Sequence, residues 1–561
     1  MVDKKFKAIL FDTRSIQKYI YAGNRLRTNI GASYIVDKIF FEVLIKDVLK
    51  KMFTDDEFSV EDDVWDSSKD DNATWLNMKN CCVAYIGGGN ALILFDAESD
   101  TQPVEVVKKF TRQLLIKRPG LKVGAAHGIL TEDDINNNKL SALYSELKAN
   151  QNNIFPAVNV PYTGLTLSCE VNGEAANFFD TEGIVRPYEG ELRFYSQEVG
   201  VKSKISTKAN ESLKARFKKI FKLKNFGGNI EKYEFPTSID ELGQTEGENY
   251  ISIIHVDGNN MGLKFRGCKS LLERRKLSRE IKRKTEGAFA DLLIKIIRAK
   301  DDGIFEDVLN LPENFLPIRP LIIGGDDVTF ICPANMAIMF TKTLMESLDS
   351  ETSEDSPEHL TQENARKMDC CAGIAILPTS YPFFRGYELA EQLCDSAKDS
   401  MRKNKNTPSS WLDFAILHGE QAPTLEQIRK CEYSGVRGNL HFGPYQVGTE
   451  KKSRYDIENL ILCTTQFLES KKPNPPKETM AHGKIKELRG VLQHGKDDTA
   501  KFLSQLNHQN QSLPDVDAWN FLKSEENLLW TTEKDSRTPY VDAIELMDFY
   551  LPEVAEKWNL M

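Results

Sequence analysis

Residues 319–332 read RPLIIGGDDVTFIC, two short apolar runs on either side of the turn Gly324-Gly325-Asp326-Asp327. Apolar runs of this length around glycines predict a hairpin of buried strands. Glycine tolerates positive φ angles and lets another molecule approach the backbone. Two adjacent carboxylates are costly in a core unless they are paired. A divalent cation, most often Mg²⁺ with a nucleotide phosphate, would compensate them. The alternative is a polar hairpin turn that binds nothing.

A second stretch, YISIIHVDGNNMGLK at residues 250–264, favours the metal site. Its β-branched residues predict a strand, and Asp257 stands where that strand ends. A Gly-Gly-Asp-Asp hairpin about seventy residues after such an acid is typical of a palm-type nucleotidyl transferase. In such a site, two metals held by Asp257, Asp326 and Asp327 bind a triphosphate and activate a 3′-hydroxyl for in-line attack.

A third stretch, YELAEQLCDSAKDSMR at residues 387–402, has helical periodicity. Lys398 and Arg402 are four residues apart, so they share one helix face near its end. Either cation alone would be interpreted as a solvated surface charge. Together with the two acidic motifs, both become candidate ligands of a triphosphate.

The length, apolar runs, cysteine spacing and net charge of the chain argue against a membrane protein, a disulfide-rich protein and a general nucleic-acid binder. The chain has 561 residues, enough for three or four domains, and no run of eighteen apolar residues, so we expect no membrane span. Ten scattered cysteines without paired spacing predict a reducing cytoplasm rather than a disulfide framework. The net charge of −10 argues against a general nucleic-acid binder, although a local basic groove remains compatible with it.

The same order of predicted elements, namely strand, helices, glycine-turn hairpin, helix and strand, occurs twice in the chain. This repeat predicts an α+β fold with two ferredoxin-like palm domains. In the first copy a strand at 6–12 precedes a long helical stretch broken near Gly31, then a hairpin at 81–95, a helix at 103–117 and a strand at 121–130. The second copy ends with a strand at 370–377. The first hairpin turns through Gly87-Gly88-Gly89-Asn90, so it lacks both carboxylates and is expected to be structural or to cradle a nucleotide.

We divide the chain into four expected domains. Residues 1–140 are the first palm and 141–248 an inter-palm α-rich domain, while 249–420 are the second palm and 421–561 a C-terminal helical docking domain. The acidic segment 54–72 is interpreted as a loop without assigned function. Nine basic residues between 202 and 224 predict a solvated helix face, with RNA or subunit contact as the alternative.

These motifs together resemble the large polymerase-cyclase subunit of type III CRISPR effector complexes, particularly the Cmr kind. The opening FDTRSIQKYI (11–20) and NRLRTNIGASYIV (24–36) are similar to that family's first palm. DGNNMG (257–262) resembles its DGDNMG, with Asn259 in place of an acid, and 324–327 match its GGDD. The resemblance implies catalytic and metal-binding roles for Asp257, Asp326 and Asp327. It implies nucleotide-binding roles for Gly258, Asn259, Asn260, Met261, Gly262, Gly324, Gly325, Lys398, Arg402 and Ser33.

The sequence departs from this family in two places. Its members often carry an N-terminal HD nuclease domain, but here the first palm begins at once and no His is followed by Asp. We therefore expect no metal-dependent DNase activity. The family also tends to have a zinc ribbon between the palms. Here Cys169 stands alone, with Asn172 where a second Cys would be, and one Cys cannot complete a four-ligand site, so we expect no structural zinc.

The resemblance implies an enzyme that makes a nucleotide second messenger from ATP, with Mg²⁺ or Mn²⁺, when target RNA binds an antiviral effector complex. The implied partners are other type III subunits, crRNA and target RNA. The product is either a cyclic oligoadenylate or a conjugate of ATP with S-adenosylmethionine. One alternative is a catalytically idle architectural and RNA-binding subunit. Another is a free-standing cyclase of the diguanylate or adenylate type.

Overall fold

The computed structural model describes residues 4–54, 78–97, 102–151, 164–185, 193–242, 250–350, 368–404, 409–419, 423–448, 453–532 and 535–561. The acidic segment predicted at 54–72 lies outside these residues from position 55 onward. No helix among the described residues is both long enough and apolar enough to cross a bilayer.

The first palm is a four-stranded antiparallel sheet in the order β2-β3-β1-β4. Its strands are β1 (Lys5–Arg14), β2 (Cys81–Gly87), β3 (Asn90–Asp96) and β4 (Lys122–Thr131). Its helices are α1 (Ile16–Ile20), α2 (Leu26–Lys38) with a π-helical continuation (Ile39–Leu49), α3 (Lys50–Met52), α4 (Gln102–Lys117), α5 (Glu132–Asn136) and α6 (Ser141–Gln151). This strand order is that of a ferredoxin-like palm, so the predicted repeat unit is present.

The second palm repeats this order and extends it. Its six-stranded sheet runs β12-β11-β10-β7-β9-β8, with β11 parallel to β10. Its strands are β7 (Tyr250–Gly258), β8 (Arg319–Gly324), β9 (Asp327–Pro333), β10 (Cys370–Pro378), β11 (Ser410–Ile416) and β12 (Tyr445–Val447). Its helices are α8 (Met261–Gly267), α9 (Leu271–Asp301), α10 (Ala337–Asp349) and α11 (Phe383–Lys403). The sheet continues past residue 420, because the edge strand β12 lies within the segment that we expected to be C-terminal and helical.

The remaining elements are mostly helical. The inter-palm segment contains a short ribbon, β5 (Phe178–Phe179) with β6 (Phe194–Tyr195), and the long helix α7 (Gln197–Leu223). The C-terminal segment contains α12 (Leu425–Glu432), α13 (Ile457–Leu468), α14 (His482–His494), α15 (Lys496–His508), α16 (Tyr540–Leu546) and α17 (Pro552–Leu560). The predicted mixed α+β fold, two palm domains with helical regions, is confirmed.

Helix α7 joins the two palms through ion pairs. Basic residues of α7 pair with carboxylates of other segments and of the helix's own first turn, and Lys224, the residue after its last turn, lies 2.7 Å from Asp291 of α9. Lys208 pairs with Glu42, and Arg216 pairs with Asp37 in the first palm. The predicted solvated face is present, since six of the nine basic residues are exposed: Lys204, Lys208, Lys218, Lys219, Lys222 and Lys224. The pairs of Lys208, Arg216 and Lys224 add contacts between this segment and the palms.

Two glycines permit close helix packing. A Cβ on Gly31 would lie 1.8 Å from the carbonyl oxygen of Lys202 on α7, and one on Gly373 would lie 1.9 Å from that of Ala390 on α11. The expected helix break near Gly31 is wrong. Gly31 lies inside α2, and the break falls between α1 and α2, because this glycine serves contact with α7 instead of ending a helix.

A buried charge network fastens the C-terminal segment to the second palm. Asp413 on β11 lies 2.9 Å from both Arg429 and His441, and His441 lies 2.9 Å from Asp542 on α16. Burial and Arg429 oppose a charge on His441, but Asp542 and Asp413 outweigh them and raise its pKa. The two carboxylates and the imidazolium therefore compensate one another inside the protein.

Candidate active site

Three carboxylates meet where the second palm's central strands end. Asp257 is next to last in β7, and Asp326 and Asp327 form the β8–β9 turn. Because β7 pairs with β9 through Val256 and Val328, the next residues, Asp257 and Asp327, fall side by side. One oxygen from each of the three carboxylates lies within 4.8 Å of the others. The structure thus brings together the three predicted catalytic residues.

Burial and mutual repulsion raise the proton affinity of Asp326 and Asp327. Burial, followed by the charge of Asp257, raises the pKa of Asp326 to about 6. The same two causes raise the pKa of Asp327 well above its usual range. Like charges this close cannot all remain ionised at low cost unless a cation compensates them. Hard carboxylate oxygens are the ligands that Mg²⁺ and Mn²⁺ prefer, so this donor set fits the predicted metals.

The two predicted cations of α11 occupy different positions. Lys398 contacts the carboxylate of Asp257 directly. Burial lowers the pKa of Lys398, but the negative charges around it, Asp257 among them, outweigh that effect and raise the pKa. Arg402 pairs instead with Asp399 at 2.9 Å, and its side chain is 65% exposed. Lys398 therefore belongs to the acidic centre, whereas Arg402 lies at the outer end of the helix.

The turn after Asp257 packs against the acidic hairpin. A Cβ on Gly258 would come within 2.9 Å of the Cβ of Asp326, so only glycine fits here. Asn260 adopts a left-handed conformation with φ 59°, and Met261 begins α8. Asn259 is 4% exposed, and its backbone N–H donates to the carbonyl of Asp369 at 2.8 Å. The predicted turn residues 258–262 thus border the carboxylates.

A cavity of about 440 Å³ lies between the two palms, and Asp326 and Asp327 of the triad line it, whereas Asp257 and Lys398 are not among its lining residues. The glycine turn of the first palm, Gly87 to Gly89, lines one side, and the turn from Gly324 to Asp327 lines the other. Ser33 also lines it, and its hydroxyl donates to the carbonyl of Leu321 on β8. The predicted nucleotide-binding residues Ser33, Gly324 and Gly325 therefore share one cavity with the acids.

Helix α9 forms a wall of this cavity that we did not predict. Arg275, Ser278, Arg279 and Lys282 all line it. Thr285 lies two helical turns after Ser278. Its hydroxyl donates to the carbonyl of Gly325 at 2.7 Å and fixes the position of the turn that carries Asp326. The only sequence signal was the basic character of this helix, which does not reveal the direction in which its charges point.

An aromatic cluster beneath the site connects the palms. Tyr21, which follows α1 in the first palm, stacks on Tyr387 of α11 with ring centroids 4.0 Å apart. Tyr387 meets the edge of His255, two residues before Asp257. The Nδ1 atom of His255 lies 3.1 Å from the hydroxyl of Thr329 on β9. Burial lowers the pKa of His255 to about 4, so the ring is neutral and acts as a packing group.

The first palm retains only part of this arrangement. Strand β1 pairs with β3 so that Asp12 lies opposite Asn90. In the hairpin of the first palm Gly87 pairs with Asn90, and in the hairpin of the second palm Gly324 pairs with Asp327 in the same way. Asp12 is thus the counterpart of Asp257, and Asn90 that of Asp327. The side chain of Gln151, at the end of α6, contacts Asp12 much as Lys398 contacts Asp257. The first palm therefore has one acid and an uncharged turn.

Among the described residues, the Asp257, Asp326 and Asp327 triad is the one group of three acidic, His or Cys side chains placed to share a metal ion. Cys169 is buried in a tight turn, where its N–H donates to the carbonyl of Glu174 and its own carbonyl accepts from the N–H of Gly173. The absence of zinc stays a prediction.

Residues 250–407 match the model of the Cas10/Cmr2 second palm domain. A search of curated proteins found no match. Among solved structures, the chain is similar to a Csm1–Csm4 cassette in complex with pppApApA, with 12% identity over 97% of this chain and 69% of that chain at a TM-score of 0.50. It is also similar to Csm1 of T. onnurineus, with 13% identity over 98% and 70% of the chains and a TM-score of 0.46.

A further Csm1–Csm4 cassette, in complex with cA4, is matched with 12% identity over 71% of this chain and a TM-score of 0.39. That match spans 53% of the solved chain, so this chain corresponds to about half of it. The second palm is therefore similar in sequence to the second palm domain of Cas10/Cmr2. The predicted resemblance to a Cas10-like large subunit is confirmed.

Proposed function

We propose that this Cas10-like chain is a nucleotidyl transferase of a type III CRISPR effector complex that makes a second messenger from ATP. The observation that carries the proposal is the triad of Asp257, Asp326 and Asp327, in which Lys398 contacts Asp257 and the other two acids line a cavity shared by the two palms. A family of palm domains built for nucleotidyl transfer matches this part of the chain.

In the proposed reaction the 3′-hydroxyl of an acceptor adenosine loses its proton, its oxygen bonds to the α-phosphorus of ATP, and pyrophosphate leaves. Asp257, Asp326 and Asp327 would hold Mg²⁺ or Mn²⁺, which when bound neutralises phosphate charge and promotes ionisation of the hydroxyl. Lys398 bridges Asp257 and the donor's phosphates. Gly325 lets the backbone approach the triphosphate, because no atom lies within 4 Å of the place where its Cβ would be.

The product is a cyclic oligoadenylate or a conjugate of ATP with S-adenosylmethionine, because both arise from the same bond formation. The solved Csm1–Csm4 cassette that contains pppApApA supports an adenylate oligomer. We propose further that the chain works with other effector subunits, crRNA and target RNA. The partner in that solved cassette supports assembly with another protein.

The architectural alternative predicts that the carboxylates are dispensable. Against it, burial and mutual repulsion raise the pKa values of Asp326 and Asp327, which costs stability, and a chain without a catalytic role has no use for that cost. The free-standing cyclase alternative predicts activity of the isolated chain without RNA.

The test is mass spectrometry of products formed by the RNA-bound complex from ATP and Mg²⁺, with and without S-adenosylmethionine. Asp326→Ala with Asp327→Ala should abolish every adenylate product while the unfolding temperature is retained. A matched control, Asp497→Ala with Asp498→Ala, removes an exposed adjacent pair on α15 and should leave synthesis unchanged. Full synthesis by the triad variant would refute the site. Activity of the isolated chain without RNA would favour the free-standing cyclase.

A further inference from the structure

A small pocket lies between α2, α7 and the first residues of β8. Its volume is about 60 Å³, and it borders the larger inter-palm cavity, with which it shares Ser33, Asp37 and Ile323. A cavity needs roughly 10–15 Å³ to hold one water molecule, so this pocket holds roughly four to six oxygen-sized atoms. That is the size of a tetrahedral oxyanion and far too little for a nucleotide.

Arg319, the first residue of β8, brings a buried cation to this pocket. It lines the pocket and is 2% exposed. One terminal nitrogen of its guanidinium donates to the side-chain oxygen of Asn210 on α7, and the guanidinium carbon lies 5.9 Å from the ring centroid of Phe235. In the part of the chain that the structure describes, no atom accepts a hydrogen bond from its Nε and no carboxylate forms an ion pair with it.

The charge of Arg319 is therefore only weakly compensated by the protein. Burial lowers the pKa of its guanidinium to about 9, and the charge of Glu241 opposes that effect without cancelling it. With a pKa near 9 the group is still protonated at neutral pH. A buried charge without a close partner destabilises the folded state, and a bound anion would remove that penalty.

The one acid that lines this pocket is compensated by other residues. The carboxylate of Asp37 lies 2.6 Å from Arg216, 3.2 Å from Lys38 and 3.9 Å from Lys282. Burial opposes a charge on Asp37, but these cations outweigh it and hold its pKa well below its usual range. Asp37 thus has its own partners, and the charge of Arg319 stays available to a ligand.

Hydroxyl groups add further hydrogen-bonding capacity to the pocket. Ser33, Tyr34 and Ser212 line it, and all three are half-buried, so the pocket is reachable from solvent. Ser212 lies two residues after Asn210 on α7, and a serine hydroxyl rotates to donate to whatever acceptor it meets. A buried guanidinium with hydroxyl groups around it suits an oxyanion, because charge-assisted hydrogen bonds to anions are among the strongest in proteins.

We propose that this pocket binds a small tetrahedral oxyanion, inorganic phosphate or sulfate, against Arg319. The site is independent of the proposed transferase activity. It lies at the opposite end of β8 from the acidic turn, and the six residues of that strand span about 17 Å. The anion compensates Arg319 and connects β8 to α2 and α7, so its binding stabilises the contact between the second palm, the first palm and the inter-palm segment.

The experiment is isothermal titration calorimetry of inorganic phosphate into the purified full-length chain, in a chloride buffer with EDTA, together with thermal unfolding. The wild type should bind one phosphate per chain. Saturating phosphate should raise the unfolding temperature by about 2–5 °C, and chloride of the same ionic strength should not. Sulfate is titrated in parallel. ATP is larger than the pocket and should not displace the bound phosphate.

Two variants test the pocket itself. Arg319→Met removes the charge but keeps a long side chain, and it should weaken phosphate binding by about tenfold or more. In chloride alone this variant should unfold at or above the wild-type temperature, because a poorly compensated buried charge has been removed. Ser212→Leu fills the pocket from a half-buried position and leaves Arg319 in place, so it should abolish phosphate binding even if Arg319→Met fails to fold.

Arg279→Gln is the matched control. It removes a cation of the inter-palm cavity, not of this pocket, and should leave the affinity for phosphate within twofold. Loss of phosphate binding in this variant alone would place the anion in the larger cavity and overturn the proposal.

The remaining outcomes are equally decisive. A higher affinity for phosphate or for sulfate identifies the ligand, and equal affinities support a site that accepts either. No binding to the wild type, or full affinity in both Arg319→Met and Ser212→Leu, would overturn the site and leave Arg319 as a structural partner of Asn210. None of these results bears on the transferase proposal, which the Asp326→Ala with Asp327→Ala variant tests separately.

Discussion

Replacing Asp326 with Asn should stabilise the metal-free protein, although it removes a metal ligand. Burial and the charge of Asp257 raise the pKa of Asp326 from 3.8 to about 6. At about 1.4 kcal/mol for each tenfold change in proton affinity, the ionised carboxyl destabilises the fold by at most roughly 3 kcal/mol. Because the triad opens onto a solvent-accessible cavity, we halve this to about 1–2 kcal/mol.

The direction of this stability change follows from the linkage between proton binding and folding. A carboxyl whose folded pKa is raised binds its proton more tightly in the folded state, so ionising it at neutral pH destabilises the fold. The penalty is absent below the unfolded pKa, grows as the pH rises towards 6, and is complete above that value. Asp326→Asn should therefore gain stability at pH 7.5 but not at pH 3.5.

The assay is thermal unfolding of the purified protein in EDTA and in Mg²⁺. For a unit the size of the second palm, 1–2 kcal/mol corresponds to a rise in unfolding temperature of about 2–8 °C in EDTA. Mg²⁺ should stabilise the wild type and close the gap, because the metal compensates the same repulsion. Asp307→Asn, an exposed loop carboxylate, is the control. A variant less stable than wild type in EDTA, with no response of the wild type to Mg²⁺, would refute the metal site.

Three further predictions concern single side chains. Lys398→Met leaves Asp257 without its cation and should lower kcat/KM for ATP by about ten- to a hundredfold, with Lys398→Arg recovering part of the loss. Thr285→Val, nearly isosteric, removes the hydrogen bond to Gly325 and should lower kcat several-fold while the unfolding temperature changes by only a few degrees. Gly373→Ala should cost more than about 3 kcal/mol in urea unfolding, because its Cβ would lie 1.9 Å from a backbone oxygen, whereas Gly483→Ala meets no atom within 4 Å.

The acidic triad was predictable because its signals are local. A strand that ends in Asp257 and a hairpin that turns at Asp326 and Asp327 each place a carboxylate at a strand terminus. Two such termini on neighbouring strands lie together once the strands pair. The repeated order of strands and helices supplied the palm topology in the same way.

The position of Arg402 shows where helical periodicity stops being informative. Residues four apart differ by about 40° around the helix and by 6 Å along it. Lys398 falls over the end of β7, but Arg402 lies one turn beyond, where it pairs with Asp399 and is mostly exposed. Spacing places two residues on a face, but it does not say how far along the helix the neighbouring sheet extends.

The cations of α9 that line the cavity and the ion pairs of α7 were not predictable for a related reason. A basic helix looks the same in sequence whether its cations meet solvent, carboxylates or a cavity. Arg216 meets Asp37 across 179 residues, and Ser278 meets Gly87 across a similar distance in the chain. Contacts of such separation depend on how the two palms dock.

The contrast between the palms accounts for having two of them in one chain. The first palm keeps Asp12, but Gln151 takes the place of Lys398, and Gly89 and Asn90 take those of Asp326 and Asp327. A site with one carboxylate holds a divalent ion poorly, so under the proposed function the metal belongs to the second palm. An uncharged glycine turn on the other side of the cavity does not repel phosphates. If the proposed transfer is right, the asymmetry of the two palms separates the nucleotide that gives its adenylyl group from the one that receives it.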